Sequence, residues 1–131
     1  MAKLNAIKNS VNVDFINGDI LELSEIDGAH YDIIVSNPPY VREQEKQLMN
    51  RNVTDFEPHL ALFVSDNDPL LFYRTIAQKS RNWLNPNGQL YFEINQAFGN
   101  EIKDLLISNG YSDVEIRKDI NGKDRMAFGR R

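Results

Sequence analysis

Asn37-Pro38-Pro39-Tyr40 is the stretch whose residue types and spacing point most directly to chemistry. It follows an apolar run, Tyr31-Asp32-Ile33-Ile34-Val35-Ser36, that reads as a buried β-strand closed by a turn. Two consecutive prolines fix φ and donate no N–H, so the segment after Asn37 is stiff and its carbonyls are open to a ligand. The Asn37 side-chain carbonyl and the Pro38 backbone carbonyl form a pair of acceptors. Such a pair can take both hydrogens of a planar NH2 group, with the Tyr40 ring as a wall beside it. The motif suits gripping an amide or an aromatic amine and presenting its nitrogen. The competing reading of the same four residues is a rigid structural turn.

The elements around this turn alternate between strand and helix. Ala2 to Asn9 reads as a helix with Leu4 and Ile7 on one face, and Val11 to Ile16 alternates like a strand before the turn Asn17-Gly18-Asp19. Val41 to Asp68 is long, polar and irregular, the kind of connection that is usually functional. Asp68-Pro69 reads as a helix start, with Asp68 as N-cap. That helix runs to about Trp83 and places Tyr73, Ile76, Ala77, Ser80 and Leu84 on one face; Asn85-Pro86-Asn87-Gly88 stops it. Leu90, Phe92 and Ile94 alternate in the next strand. A second helix spans Phe98 to Asn109, with Phe98, Ile102, Leu105 and Leu106 inward and Gly110 as its terminator. Val114 to Arg117 and Arg125 to Gly129 are joined by Asn121-Gly122, a hairpin signal. The order implies an α/β sheet, mostly parallel, with an antiparallel edge. Ligands in such sheets sit at the strand carboxyl ends, where Asp19, Asn37 and Asn95 all fall.

Composition narrows the classes. At 131 residues the chain is one domain or part of one. The absence of cysteine removes disulfides, thiolate metal sites and a cysteine nucleophile. There is no apolar run of about 18 residues and no basic-then-apolar leader, which suggests a cytoplasmic protein without a membrane span. A net charge of −4 is poorly suited to nonspecific phosphate binding. Arg117, Lys118, Lys123, Arg125, Arg130 and Arg131 are interspersed with Asp119 and Asp124, so they read as a solvated sheet edge. His30 and His59 have no partners at metal-ligand or catalytic spacing, so no metal is expected.

These residues together resemble the C-terminal part of the release-factor glutamine methyltransferases, which are class I, S-adenosylmethionine-dependent enzymes. The matching stretches are Asn5-Ala6 with Asn9, Val13 to Phe15, Gly18-Asp19, Tyr31 to Val41, Glu45, Glu57-Pro58 with Ala61-Leu62, Asp68 through Tyr73-Arg74, Leu84 with Gly88, Phe92 to Ile94, and Asp119 to Gly122 with Asp124-Arg125. The resemblance covers essentially the whole chain and implies a Rossmann-like class I methyltransferase sheet ending in an antiparallel hairpin. Residues 1–131 would then be a partial catalytic domain, lacking the N-terminal substrate domain and the Gly-rich cofactor loop; Gly18 is the first glycine.

The resemblance implies methyl transfer from S-adenosylmethionine to the side-chain amide nitrogen of a glutamine in a peptide chain release factor. Asn37 and Pro38 would hold that amide, with Tyr40 as the wall. Pro39, Glu57 and Pro58 would complete the substrate side. Asp19, Ile20 and Asn37 would meet the cofactor, Ile20 standing where the family usually has an aromatic. Asp19 has a second reading, a turn residue holding Asn17-Gly18-Asp19. Asn95 and Gln96 are read as capping the following helix, and Asp124 with Arg125 as a structural ion pair. Asn-Pro-Pro-Tyr also marks adenine and guanine amino-methyltransferases acting on DNA or RNA, which is the alternative enzyme reading. The other alternative is a non-catalytic α/β fragment, inactive alone. In that case the strand edge left open would pair with a second copy, or the Val11–Ile16 and Tyr31–Ser36 strands would pair directly.

Overall fold

The computed structural model describes residues 1–23, 25–26, 28, 30–42, 44 and 63–131. Glu45, Glu57, Pro58, His59, Ala61 and Leu62 lie outside the described residues. In chain order the elements are α1 (Ala2–Lys8), β1 (Tyr31–Ser36), β2 (Val41–Arg42), β3 (Phe63–Val64), α2 (Leu71–Trp83), β4 (Leu84–Glu93), a 3-10 turn (Gln96–Phe98), α3 (Gly99–Ser108), β5 (Ser112–Lys118) and β6 (Asp124–Arg130). Four strands make one sheet in the order β1-β4-β6-β5, and β2 pairs with β3 separately.

Only β1 and β4 are parallel neighbours in that sheet; β4–β6 and β6–β5 are antiparallel. The sheet is therefore mixed rather than mostly parallel. The reason is topological: α3 carries the chain past the neighbouring position to β5, and the hairpin returns β6 into the gap.

The core follows from two periodicities meeting. On α2, Tyr73, Ile76, Ala77, Ser80 and Trp83 are buried, and on α3 Gly99, Ile102, Leu105 and Leu106 are. Of these, Tyr73, Ile76, Ala77, Ile102, Leu105 and Leu106 join Leu90, Phe92 and Ile94 of β4 and its extension, with Ala127 of β6, in one cluster. Alternation sends Ile33, Val35, Tyr91 and Phe128 to the other sheet face, where the Tyr91 and Phe128 rings pack tilted at 39° with centroids 5.0 Å apart.

Two turns fix how the layers join. Gly110 has φ +80° just past α3, and its N–H reaches the Ile107 carbonyl at 2.9 Å while the Tyr111 N–H reaches that of Leu106 at 3.1 Å. This double closure needs the left-handed conformation that glycine adopts without strain. It places the Tyr111 hydroxyl to donate to the Ala77 carbonyl at 2.9 Å, tying α3 to α2, and burial pushes that phenol up to about 12. In the hairpin, Gly122 at φ +77° donates to the Asp119 carbonyl at 3.0 Å, and the Asp119 N–H donates to the Lys123 carbonyl at 2.8 Å. The Asp119 carboxylate accepts from the N–H groups of Asn121 and Lys123, and Arg125 lies 3.5 Å away, so Arg125 is paired with Asp119 rather than with Asp124.

Several boundaries differ from the sequence expectations. Residues 11–16 form no strand and are exposed, so they do not pair with β1. Alternation marks a segment able to join a sheet, but a strand exists only with a ladder partner. The apolar face of α1 is not buried. Helix α2 starts at Leu71 without a side-chain cap, because the Asp68 carboxylate pairs with Arg74 instead of an N-terminal N–H. Strand β4 starts at Leu84, directly after α2. No helix among the described residues is long and apolar enough to cross a membrane.

Two predictions follow from packing and charge. Leu106→Ala should cost about 2–5 kcal/mol in denaturant unfolding, whereas Leu4→Ala should stay within about 0.5 kcal/mol. Asp119 is held below the ordinary carboxylate range, first by the Lys123 N–H, with further help from the Asn121 N–H and Arg125. Its contribution is therefore present above the ordinary value of about 3.9 and lost as pH falls through the lower folded value. Unfolding curves should weaken on acidification below about pH 4, and Asp119→Asn should remove part of that slope.

Candidate functional site

Asn37 stands one residue beyond β1, whose last residue, Ser36, is paired with Phe92. Parallel pairing sets the carboxyl ends of β1 and β4 side by side, so Asn37-Pro38-Pro39-Tyr40 lies next to Glu93 and Asn95. Pro38 is buried, Pro39 and Tyr40 are half-buried, and Asn37 is exposed.

A cavity of about 720 Å³ brings Asp19 and Ile20 together with Asn37, Pro38 and Pro39, against an apolar wall that includes Ile34 and Trp83. The expected cofactor-side and substrate-side residues thus border the same space. Asn37 also borders a cavity of about 600 Å³ on the opposite sheet face, with Val35, Tyr91, Glu93 and Arg125 around it. The segment carrying Asp19 is held in place by Lys79 of α2. Its ammonium donates to the carbonyls of Ile20 at 2.7 Å, Leu21 at 3.2 Å and Leu23 at 2.5 Å. Asp19 acts as a turn residue as well, since its Oδ1 accepts the Leu21 N–H at 2.9 Å. The turn it closes is the one that follows, from Asp19 to Glu22, not Asn17-Gly18-Asp19, and the same residue borders the cavity.

Tyr40 does not line either cavity. Its ring packs at the margin of the core, and its hydroxyl donates to Glu93 Oε1 at 2.6 Å. Its hydroxyl thus ties the turn into β4, and the ring's part beside a bound amide belongs to the proposal below. The phenol is raised above its ordinary value, first by burial, then by the hydrogen bond to Glu93 and the charge of that carboxylate, with Arg125 acting the other way. Tyr40 is therefore a neutral donor, not a proton acceptor. Asn95 caps the 3-10 turn, its Oδ1 accepting the Ala97 N–H at 3.0 Å, and its Nδ2 donates to the Tyr40 carbonyl at 3.1 Å. Glu57 and Pro58 lie outside the described residues. Sequence reasoning missed Lys79 and left Glu93 without a role. Only the charge of Glu93 at the end of an apolar alternation marked it, whereas Lys79 carried no local signal.

No protein-family model matches the chain. It is 50% identical over 131 residues to the release factor glutamine methyltransferase of Bacteroides thetaiotaomicron, covering 100% of this chain and 47% of that protein. It is 50% identical over 125 residues to the protein of the same description from Flavobacterium psychrophilum, covering 95% of this chain and 44% of that one. The chain thus spans about half the length of the curated relatives it matches. Among solved structures, a methyltransferase from Pyrococcus furiosus superposes with a TM-score of 0.65 over 98% of this chain and 55% of that one, at 21% identity. That likeness shows a methyltransferase fold.

Tyrosinate absorbance followed with pH should show Tyr40, identified by its loss in Tyr40→Phe, ionising above the ordinary value of about 10. Glu93→Gln should bring it part of the way down, because burial remains when the neighbouring charge is gone.

Proposed function

We propose, for a chain that belongs to the release factor glutamine methyltransferase family, that Asn37 and Pro38 hold a glutamine side-chain amide of a peptide chain release factor for methylation. The observation that carries this reading is the shared cavity, where the acceptor turn meets Asp19 and Ile20. Its volume falls within the range of about 300–1,000 Å³ usual for small-molecule sites. The lining suits S-adenosylmethionine in kind: Ile20, Ile34 and Trp83 offer apolar surface to a purine, and Asp19 offers a carboxylate to its polar edge. When bound, that cofactor supplies an electrophilic methyl group on a sulfonium sulfur. Residues 1–131 would form part of one catalytic domain.

The chemical difficulty lies with the acceptor nitrogen, whose lone pair is delocalised into its own carbonyl. Asn37 Oδ1 and the Pro38 carbonyl oxygen would each accept one N–H, fixing the rotation and direction of the amide. As the nitrogen takes up the methyl group it becomes positive, and both acceptors then bind its N–H groups more strongly. This is stabilisation that grows towards the transition state. The surplus proton can pass to water afterwards, so no general base is required of the chain.

The reading is tested with a full-length protein that carries this chain, since the chain by itself is expected to be inactive, together with labelled S-adenosylmethionine and a release factor. Label should appear at a glutamine, and Asn37→Ala should slow its appearance about 10²–10³-fold. Label in nucleic acid but not in protein, or no label at glutamine, would overturn it. We also propose self-association through β1. Its outer edge has no strand partner among the described residues, and Ile33 and Val35 beside it are 57% and 74% exposed. Sedimentation should show a concentration-dependent dimer that Val35→Lys disperses; a monomer at every concentration would refute it.

A further inference from the structure

We propose that Glu93 and Asn95 are positioning residues that fix the acceptor pair of Asn37 and Pro38 by clamping Tyr40 at both ends. The inference rests on the amide-holding role given above to Asn37 and Pro38. Neither Glu93 nor Asn95 supplies an acceptor in that role. They stand 53 and 55 residues from Tyr40 in sequence, and the fold brings both to it.

The side-chain end of the clamp is the Tyr40 hydroxyl donating to Glu93 Oε1 at 2.6 Å, the length of a charge-assisted O–H···O⁻ bond. The backbone end is Asn95 Nδ2 donating to the Tyr40 carbonyl at 3.1 Å. Both anchors are themselves held. The Glu93 carbonyl accepts the Tyr73 hydroxyl at 3.2 Å, and Glu93 is paired with Met126 of β6. The Asn95 amide cannot rotate away without losing the Ala97 N–H at 3.0 Å.

Asn37, Pro38 and Pro39 are strung between this clamp and Ser36, which the β1–β4 ladder fixes against Phe92. Both prolines have φ set by their rings, so few torsions remain free. Tyr40 thereby works as a strut: with it held at both ends, the Pro38 carbonyl and the Asn37 side chain sit at a set place relative to β4. Placement at this level matters, since a misplacement of about 1 Å can cost about a hundredfold in rate. Two prolines alone would stiffen the turn without aiming it.

The test uses a full-length protein that carries this chain, S-adenosylmethionine and a release factor, with Glu93→Ala, Glu93→Gln, Tyr40→Phe and the Tyr40→Phe/Glu93→Ala double variant. Glu93→Ala and Tyr40→Phe should each lower kcat by about ten- to a hundredfold, with KM for S-adenosylmethionine unchanged. Glu93→Gln, which keeps an acceptor, should recover most of the loss. The double variant should be no slower than either single one, because both changes break the same bond. A raised KM with intact kcat, or losses that multiply, would overturn the clamp. A second readout does not depend on the reaction: the Asn37 side-chain amide signal in a nitrogen–proton NMR spectrum should move alike in Tyr40→Phe and Glu93→Ala, and little in Glu93→Gln. An Asn37 signal unmoved by either change would overturn the clamp even in an active enzyme. The shared movement in a chain that transfers no methyl would support the clamp and count against the proposed reaction.

Discussion

Strand β4 is paired on both sides, and its register is held by what one of its faces buries. Leu90, Phe92 and the following Ile94 are all but fully buried beneath α2 and α3, while Tyr91 and Glu93 point the other way. Side chains alternate with a period of two, so a slip of one residue would exchange these sets. Burying each large apolar side chain is worth about 1.5–3 kcal/mol, and domains of this kind are stable by about 5–15 kcal/mol in all. A slip that exposed three such residues would therefore remove a large part of the stability. The same register places Glu93 beside Tyr40 and Ser36 beside Phe92. Core packing and site geometry are thus one constraint expressed on two faces of one strand.

The site depends on that constraint through the parallel pairing of β1 with β4. Parallel neighbours end at the same edge of a sheet, so the turn that leaves β1 and the residues that leave β4 emerge together. An antiparallel pair would have put Asn95 at the opposite edge from Tyr40. Helix α2 is what makes the parallel pair possible, because it carries the chain back along the sheet before β4 begins. The same helix supplies Lys79, whose ammonium gathers three carbonyls of the Asp19 segment, and Tyr73, whose hydroxyl holds the Glu93 carbonyl. One crossover helix therefore sets the strand, braces its end and holds the opposite wall of the cavity.

What was legible in the sequence was local. The inward face of α2, the glycine ending α3 and the hairpin around Asn121-Gly122 each announce themselves within a few residues, and each is where it was expected. Pro38 and Pro39 declared a stiff turn for the same reason. Contacts made at long range were not legible. The alternation of Val11 to Ile16 is real, yet no strand forms, since the ladder partner it needs is not encoded in the segment. The insertion of β6 between β4 and β5 depends on how far α3 carries the chain. Tyr40 illustrates the limit within the site. Its aromatic ring suggested a wall for a ligand, whereas the tie of its hydroxyl to Glu93, 53 residues away, had no local signal. Asp19 sits between these cases: its place at the crevice beside Asn37 was readable, whereas the turn it closes runs on to Glu22 rather than back to Asn17.

The choice of an amide at position 37 also makes physical sense in this setting. A carboxylate there would accept hydrogen bonds over the same reach and more strongly. It would, however, stand at the junction of two cavities that already hold Asp19 on one side and Glu93 on the other. A carboxyl at position 37 that took up a proton would present a donor where the proposed role needs an acceptor. Glu93 has to remain an acceptor to hold Tyr40, and the raised phenol keeps the other half of that bond a donor. A neutral acceptor at Asn37 leaves both conditions undisturbed. In the proposed role it would supply less electrostatic stabilisation than a charge, so accurate placement would matter more, and the paired prolines with the two hydrogen bonds to Tyr40 are the features of the turn that limit its freedom.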